Sequence, residues 1–276
     1  MFFSALLDNP FLQMALWAGL LASVASGLIG SYVVVKRISF IAGSIAHSIL
    51  GGIGFCLWLQ KSWLHPMMGA AFGAIASALL LGWIQQRFRQ REDALIAAIW
   101  STGMAIGVIF IALTPGSTVE LMNFLFGNIL WVSSTDLLSL AALDLVTIAF
   151  VAYYYRPFLA LCFDEEQAIL QGVPVRRLYL LLLCLVALSI VLLIQVIGTI
   201  LVLALLTIPA TLAGLFTSQL RPMMALACGF GVLFSFFGLG AAYELNWPPG
   251  ATIALLAAVV YIGALVLKRK KFLARQ

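Results

Sequence analysis

Charged side chains are scarce in this 276-residue sequence. Asp, Glu, Lys and Arg together make up 9% of the residues, whereas 64% are hydrophobic. Soluble domains carry about a quarter charged residues, so the composition excludes a water-soluble fold, and the mean hydropathy of +1.13 agrees. The alternating segments that build a membrane β-barrel are also missing. Because a backbone in lipid must satisfy its own hydrogen bonds, the sequence predicts an all-α polytopic membrane protein.

Motifs for several kinds of chemistry are missing as well. No Cys-x-x-Cys occurs, which argues against a disulfide framework or a structural zinc site. No Gly-x-x-x-x-Gly-Lys-Ser/Thr loop occurs, so the chain does not hydrolyse nucleotide through a P-loop. The first residues lack the basic region of a cleaved signal peptide. If the chain transports a solute, we therefore expect its energy to come from elsewhere.

Apolar runs long enough to cross a membrane, which takes about 20 residues, follow one another with no soluble domain between them. We predict a single transmembrane domain, residues 1–276, with eight or nine helices. The region around Gly198 leaves two alternatives, a tight hairpin or one long broken helix followed by a half-span. The predicted spans are 11–35, 38–59, 67–84, 94–113, 137–155, 178–196, 197–216, 223–243 and 251–267.

The distribution of Lys and Arg predicts the orientation. With the amino terminus outside and nine crossings, all 15 basic residues except Lys61 fall on the inside, which is where positive charge accumulates. The carboxyl terminus is then cytoplasmic. Acidic residues on the outside can raise the local concentration of cations, although ordinary loop acids would look the same. These outer acids are Asp8, Glu120, Asp136 and Glu244.

A charged island at 164–177 interrupts the apolar runs on the predicted cytoplasmic side. Asp164 can cap a short helix, and Glu165 and Glu166 suit its first turn. Gly172 suits a left-handed stop, and Pro174 prevents continuation. Together with the polar turn at 217–222, this island is either a plain connector or a docking surface for a soluble partner.

Two ionisable residues lie inside predicted spans. His47 shares one helix face with Gly43 and Ser39, and neutral imidazole is a common ligand of divalent metals. The alternative is a histidine that hydrogen-bonds a neighbouring helix. Asp144 lies eight residues into its span. So few intramembrane charges argue against an ion-coupled carrier, and two distant histidines do not make the clustered site of a membrane enzyme.

Four stretches, in order, resemble the membrane permease subunit of bacterial ABC importers for zinc, manganese and iron. They are VKRISFI at 35–41 through His47 and Gly52, LMNFLFGNIL at 121–130, GVP at 172–174 through IGTILV at 197–202 to IPA at 208–210, and PGAT at 249–252. Each stretch alone is weakly specific, whereas the ordered set spans almost the whole chain.

The resemblance implies a multi-helix fold like that of the vitamin B12 importer, a type II ABC importer, in the bacterial plasma membrane. It implies a second permease chain, identical or paralogous, two ABC ATPase subunits that bind the ATP, and an extracytoplasmic metal-binding protein. This chain would contact lipid and no nucleic acid, and would hold no cofactor besides the transported metal. The ATPase-coupling residues would be Asp164, Glu165, Glu166, Gly172, Pro209 and Arg221.

One position departs from the family. Members commonly carry an aspartate four residues before His47, where this chain has Gly43. We therefore expect Glu120, Asp144 or Glu244 to complete the metal pathway with His47, or the pathway to bind metal loosely. The missing acid also favours an alternative, a permease for a metal chelate such as a siderophore or cobalamin. An ion-coupled secondary carrier remains the third reading.

Overall fold

The computed structural model describes residues 2–60, 65–87, 92–114, 127 and 129–273. In this part of the chain, ten α-helices and one 3-10 turn at Ile129–Trp131 account for the regular structure. The helices are α1 (Phe2–Asp8), α2 (Pro10–Val35), α3 (Ser39–Leu59), α4 (Pro66–Arg87), α5 (Glu92–Ala112), α6 (Ser134–Phe163), α7 (Glu165–Leu170), α8 (Val175–Ala213), α9 (Leu220–Leu245) and α10 (Pro249–Leu273).

Eight helices in the described ranges are long and apolar enough to cross a membrane. The predicted all-α membrane protein is therefore confirmed, and most predicted spans agree with the observed helices to within a few residues. The clearest difference is α6, which was predicted to end at residue 155 and continues to Phe163 with Pro157 inside it. Phe158, directly after this proline, and Leu161, one turn later, are completely buried.

Helix α8 is the one that departs from a simple crossing. A straight helix of its 39 residues would be about 58 Å long, roughly twice the hydrocarbon thickness of about 30 Å. The helix breaks at Gly198, whose φ of 77° and ψ of 163° are not helical. The break divides α8 into a first arm of residues 175–197 and a second arm of residues 199–213.

The packing of the two arms shows that they run in opposite directions. Gly82, near the end of α4, faces Leu180 and Leu183 in the first arm, while residues 191–195 share a cavity with the start of α4. Beyond the break, Gly30 in α2 faces Leu206. The second arm then ends beside the last residues of α2, where Ala213 clusters with Val35. Of the two alternatives for this region, the contacts match the hairpin at Gly198.

The centre of the bundle is α2, which packs against α8, α6 and α9. Helix α3 packs on α4 on one side and on α5 on the other. Small residues permit this closeness, since a Cβ at Gly52 would lie only 2.0 Å from the carbonyl oxygen of Gly69. Most of α5 and α10 remains exposed around this centre.

The helices sort the charges onto two faces. We call the side at which α2 ends and α9 begins the basic face, because every Lys and Arg side chain that the structure describes lies there. Lys36 marks it at the end of α2 and Lys268 in α10, where the ammonium group of Lys268 reaches the carbonyl of Leu215. The start of α2 lies at the opposite face, together with Asp136 and Glu244.

Candidate functional site

Helix α7 is a six-residue helix on the basic face with both ends defined by local hydrogen bonds. Asp164 caps its start, since its Oδ1 accepts the backbone N–H of Gln167 at 2.9 Å. Gly172 adopts the predicted left-handed conformation with φ of 76°, and the N–H of Val173 closes the helix end on the carbonyl of Ala168 at 3.0 Å. The predicted helix and its stop signal are confirmed.

A lysine fastens α7 to the bundle. The ammonium group of Lys36, at the end of α2, donates to the carbonyl of Leu161 at 3.0 Å and forms an ion pair with Glu165. Because α2 is the central helix, this pair connects α7 directly to the core. The lysine thus joins the start of α7 to the end of α2 and to the last turn of α6.

The second polar segment of the basic face joins α8 to α9 at residues 214–219. Arg221, on the first turn of α9, places its guanidinium 4.4 Å from the ring centroid of Tyr155 in α6, a cation–π contact. Since α6 leads into α7, the contact links the two polar segments. Pro209, one of the coupling residues that the resemblance implies, lies inside the second arm of α8 and is buried.

Several apolar side chains are exposed on this otherwise polar surface. Leu170, at the end of α7, is 87% exposed, and Ile169 and Phe163 are also exposed. A groove beside them is lined by Arg156 and Gln171 among other residues. We call α7 with residues 214–221 the docking face. Exposed leucine surrounded by charged groups is typical of a surface that another protein covers.

His47 lies in α3 with its ring stacked on Trp100 of α5, 4.5 Å between ring centroids and 13° from parallel. Its Nδ1 is buried and has no hydrogen-bond partner, so the expected alternative of a bond to a neighbouring helix through this atom is not present. A Cβ at Gly43 would lie 3.4 Å from Cζ3 of the same tryptophan. Trp100 thus packs over Gly43, the position at which the resemblance implied an aspartate.

The two other predicted metal contacts that the structure describes lie in α6 and α9, which are not among the helices packed on α3. Asp144 is buried in α6 against the backbone of Ala25 in α2. Glu244, at the end of α9, accepts the backbone N–H of Phe2 at 2.9 Å on the opposite face. Glu120 lies outside the described residues. Within the described part of the chain, no three His, Cys, Asp or Glu residues are grouped so as to hold a metal ion.

Sequence reasoning missed the partners that organise these positions. Nothing in the pattern of α5 marks Trp100 as the residue that stacks on His47, 53 positions away. The Lys36–Glu165 pair was also missed, although basic residues at the end of an apolar helix and an acid at the start of another are a usable signal. Tyr155 carried no signal, because it ends a run of three tyrosines.

Comparison with known proteins decides the class of the chain. The profile of the ABC 3 transport family matches residues 8–268. The chain belongs to this family. As an ABC 3 permease it is a membrane transport subunit, and its fold is that of the type II ABC importers. The helix bundle with its hairpin at Gly198 and the docking face are therefore features of a transport permease.

Relatives and solved structures agree along nearly the full length. A Chlamydia pneumoniae protein named "Probable metal transport system membrane protein" is 49% identical over 92% of this chain and 87% of its own length. The manganese transport system membrane protein MntC of Listeria monocytogenes is 33% identical over 98% and 95%. The structure of PsaBC from Streptococcus pneumoniae in complex with Fab matches with a TM-score of 0.84 and 29% identity over 95% and 94%.

Proposed function

We propose that this ABC 3 permease moves divalent metal ions, of the class of manganese, zinc or iron, into the cytoplasm, powered by separate ATPase subunits. The observation that carries the proposal is the docking face, where α7 and residues 214–221 lie together on the basic face of a chain that has no nucleotide-binding loop. The names of the relatives, which include metal and manganese transport systems, support the substrate class.

The basic face is the cytoplasmic face in this proposal, because positive charge accumulates on that side of a membrane protein. The carboxyl terminus is then inside the cell, and the start of α2 lies towards the outside. Two ATPase subunits cover the docking faces of two permease chains, identical or paralogous, in the bacterial inner membrane. An extracytoplasmic metal-binding protein delivers the ion to the opposite face, near Asp136 and Glu244.

In this proposal, ATP binding to the ATPase subunits displaces the docking face. A partner shifts a conformational equilibrium only if it binds the two states with different free energy. The Lys36–Glu165 pair carries a displacement of α7 to the central helix, and the second arm of α8 carries a displacement of residues 214–219 to Gly198. The two arms and α2 thereby change their packing together, and the pathway opens towards one side at a time.

His47 is the metal contact that we propose for the pathway, because its Nδ1 is buried and unpartnered. One imidazole without a neighbouring carboxylate holds a metal weakly, which suits a site that must also release it. Asp144 and Glu244 do not lie beside it. Affinity for the ion then resides in the extracytoplasmic binding protein and not in this chain.

The docking face can be tested with one exposed leucine. The complex of this chain with its ABC ATPase subunit is purified, and ATP hydrolysis is measured with and without manganese, zinc and iron. Leu170→Asp should abolish co-purification or stimulation, because a carboxylate replaces an apolar contact. Leu7→Asp, at a leucine of the opposite face that is 78% exposed, is the matched control. Equal stimulation of both variants would remove α7 from the coupling surface.

Metal transport is tested separately in vesicles that contain the whole complex and the binding protein. Uptake of the free ion and of a siderophore chelate are compared, since the chelate reading predicts uptake only of the latter. His47→Ala should reduce uptake of the free ion while ATPase assembly is retained. Unchanged uptake would exclude His47 from the pathway without affecting the assignment of the docking face.

A further inference from the structure

The imidazole of His47 is held differently from that of most histidines that bind a metal. Such a histidine almost always donates its second ring N–H to a carboxylate, a carbonyl or a water, and this bond fixes the orientation of the ring. The Nδ1 of His47 is buried and has no hydrogen-bond partner among the described residues. Instead, the ring lies face to face with the indole of Trp100, 4.5 Å between centroids and 13° from parallel. A stacking contact thus takes the place that a hydrogen bond at Nδ1 would have.

Two serines of α3 fix the position of this helix along α5. The Oγ of Ser44 donates to the carbonyl of Ile96 at 3.2 Å. The Oγ of Ser48 donates to the carbonyl of Ile99 at 3.4 Å, and this second bond joins the residues directly next in sequence to the stacked pair. Hydroxyl groups that bridge two membrane helices stabilise their packing. The two rings are therefore carried by backbones that are held to each other on the spot.

Gly43 provides the space that the indole occupies. A Cβ at this position would lie 3.4 Å from Cζ3 and 3.8 Å from Cη2 of Trp100, so any longer side chain would press on the ring. The stack uses the flat face of the imidazole, whereas a metal binds at Nδ1 or Nε2, through a lone pair in the plane of the ring. The contact with Trp100 can therefore orient the imidazole of His47 without occupying either nitrogen.

We propose that Trp100 is the positioning residue of the metal contact, because its indole orients the imidazole of His47 and leaves both ring nitrogens free. This role rests on the proposed function of His47 in metal passage. A side chain whose rotamer is locked by packing holds its binding geometry in advance. Loss of an orienting partner typically lowers the affinity for a metal by about 10- to 100-fold. Because this partner makes no hydrogen bond, we expect the lower value, about tenfold.

The chain has only two histidines, so NMR can follow His47 directly. The complex of the full chain with its ATPase subunits is labelled with 15N and 13C at histidine, placed in lipid and titrated with Mn²⁺ without nucleotide. His65→Gln assigns the signals of the other histidine. Manganese at His47 broadens the signals of its imidazole. Trp100→Leu should raise the Mn²⁺ concentration that is required by about tenfold, whereas Trp100→Phe, which still offers an aromatic face, should restore most of the affinity.

Phe110 supplies the matched control, since this aromatic residue of α5 also packs on α3, with ring centroids 5.5 Å from Phe55 and 5.3 Å from Trp58. Phe110→Leu should lower the melting temperature as Trp100→Leu does, but should leave the Mn²⁺ titration of His47 unchanged. The positioning role is refuted if Trp100→Leu does not change this titration, or if Trp100→Phe or Phe110→Leu weakens it equally. If Mn²⁺ leaves the His47 signals of the wild type sharp, His47 is not a metal contact, and its proposed function fails together with this role.

Discussion

Replacement of Gly30 by alanine tests the closest approach between the central helix and the second arm of α8. A Cβ at position 30 would lie 2.0 Å from the carbonyl oxygen of Leu206 and 3.3 Å from its Cα. An ordinary contact between carbon and oxygen is about 3.3 Å, so the two backbones must separate by about 1.3 Å. No change of rotamer can relieve a contact with a carbonyl oxygen, and the whole arm has to move.

The expected cost follows from this displacement. Overpacking of a core costs about 1–3 kcal/mol, and we expect the upper part, about 2–3 kcal/mol, because backbone atoms clash. For a chain of this size the melting temperature should fall by roughly 4–12 °C. Thermal unfolding of the detergent-solubilised chain, followed by fluorescence, measures this shift. ATPase stimulation, measured at temperatures where the variant is still folded, should also be reduced, because the displaced arm leads directly into residues 214–219.

Gly229 in α9 supplies the matched control, because a Cβ there meets nothing within 4 Å. Gly229→Ala should leave the melting temperature unchanged or raise it, since alanine favours a helix by about 1 kcal/mol over glycine. If Gly30→Ala is as stable as Gly229→Ala and stimulates the ATPase normally, the second arm does not pack on α2 as described. The hairpin at Gly198 would then lose its main support.

Three further substitutions test other contacts. Gly198→Ala should lower the stability by about 1–3 kcal/mol, because only glycine adopts this backbone conformation without strain, and thermal unfolding measures it. Exchange of the two charges, Lys36→Glu with Glu165→Lys, should restore the stability that each single substitution loses. Because Glu165 is 46% exposed, a double-mutant cycle should give a coupling energy of about 0.2–1 kcal/mol. Gly43→Asp alone should lower the stability, because the new side chain displaces the Trp100 ring. The double variant Gly43→Asp, Trp100→Ala should tolerate the aspartate, and titration calorimetry should show that it binds metal more strongly.

Much of the fold could be predicted because long apolar runs leave a membrane chain few alternatives. The ends of α2, α3 and α9 follow from the places where apolar residues give way to charged ones. The short helix α7 was predicted from its caps, since Asp164 and Gly172 act on groups only a few residues away. Such local signals are complete in the sequence and need no knowledge of the remaining bundle.

The candidate site could be predicted only in part. His47 was identified from its depth in a span, but its stacking on Trp100 joins residues 53 positions apart. Asp144 was placed with the pathway, yet the structure buries it against α2. These apolar helices are hydrophobic on nearly all sides, so the sequence does not indicate which face of each one meets a neighbour.

The sequence by itself determined that the chain crosses a membrane repeatedly, where most crossings begin and end, and that its positive charges gather at one face. Hydrophobic free energy and the position of charge fix these properties residue by residue. Only the tertiary structure decided that α8 folds back at Gly198 and that Trp100 covers Gly43. It also decided that Asp144 is buried against α2, because close packing of distant residues depends on shape and not on local composition.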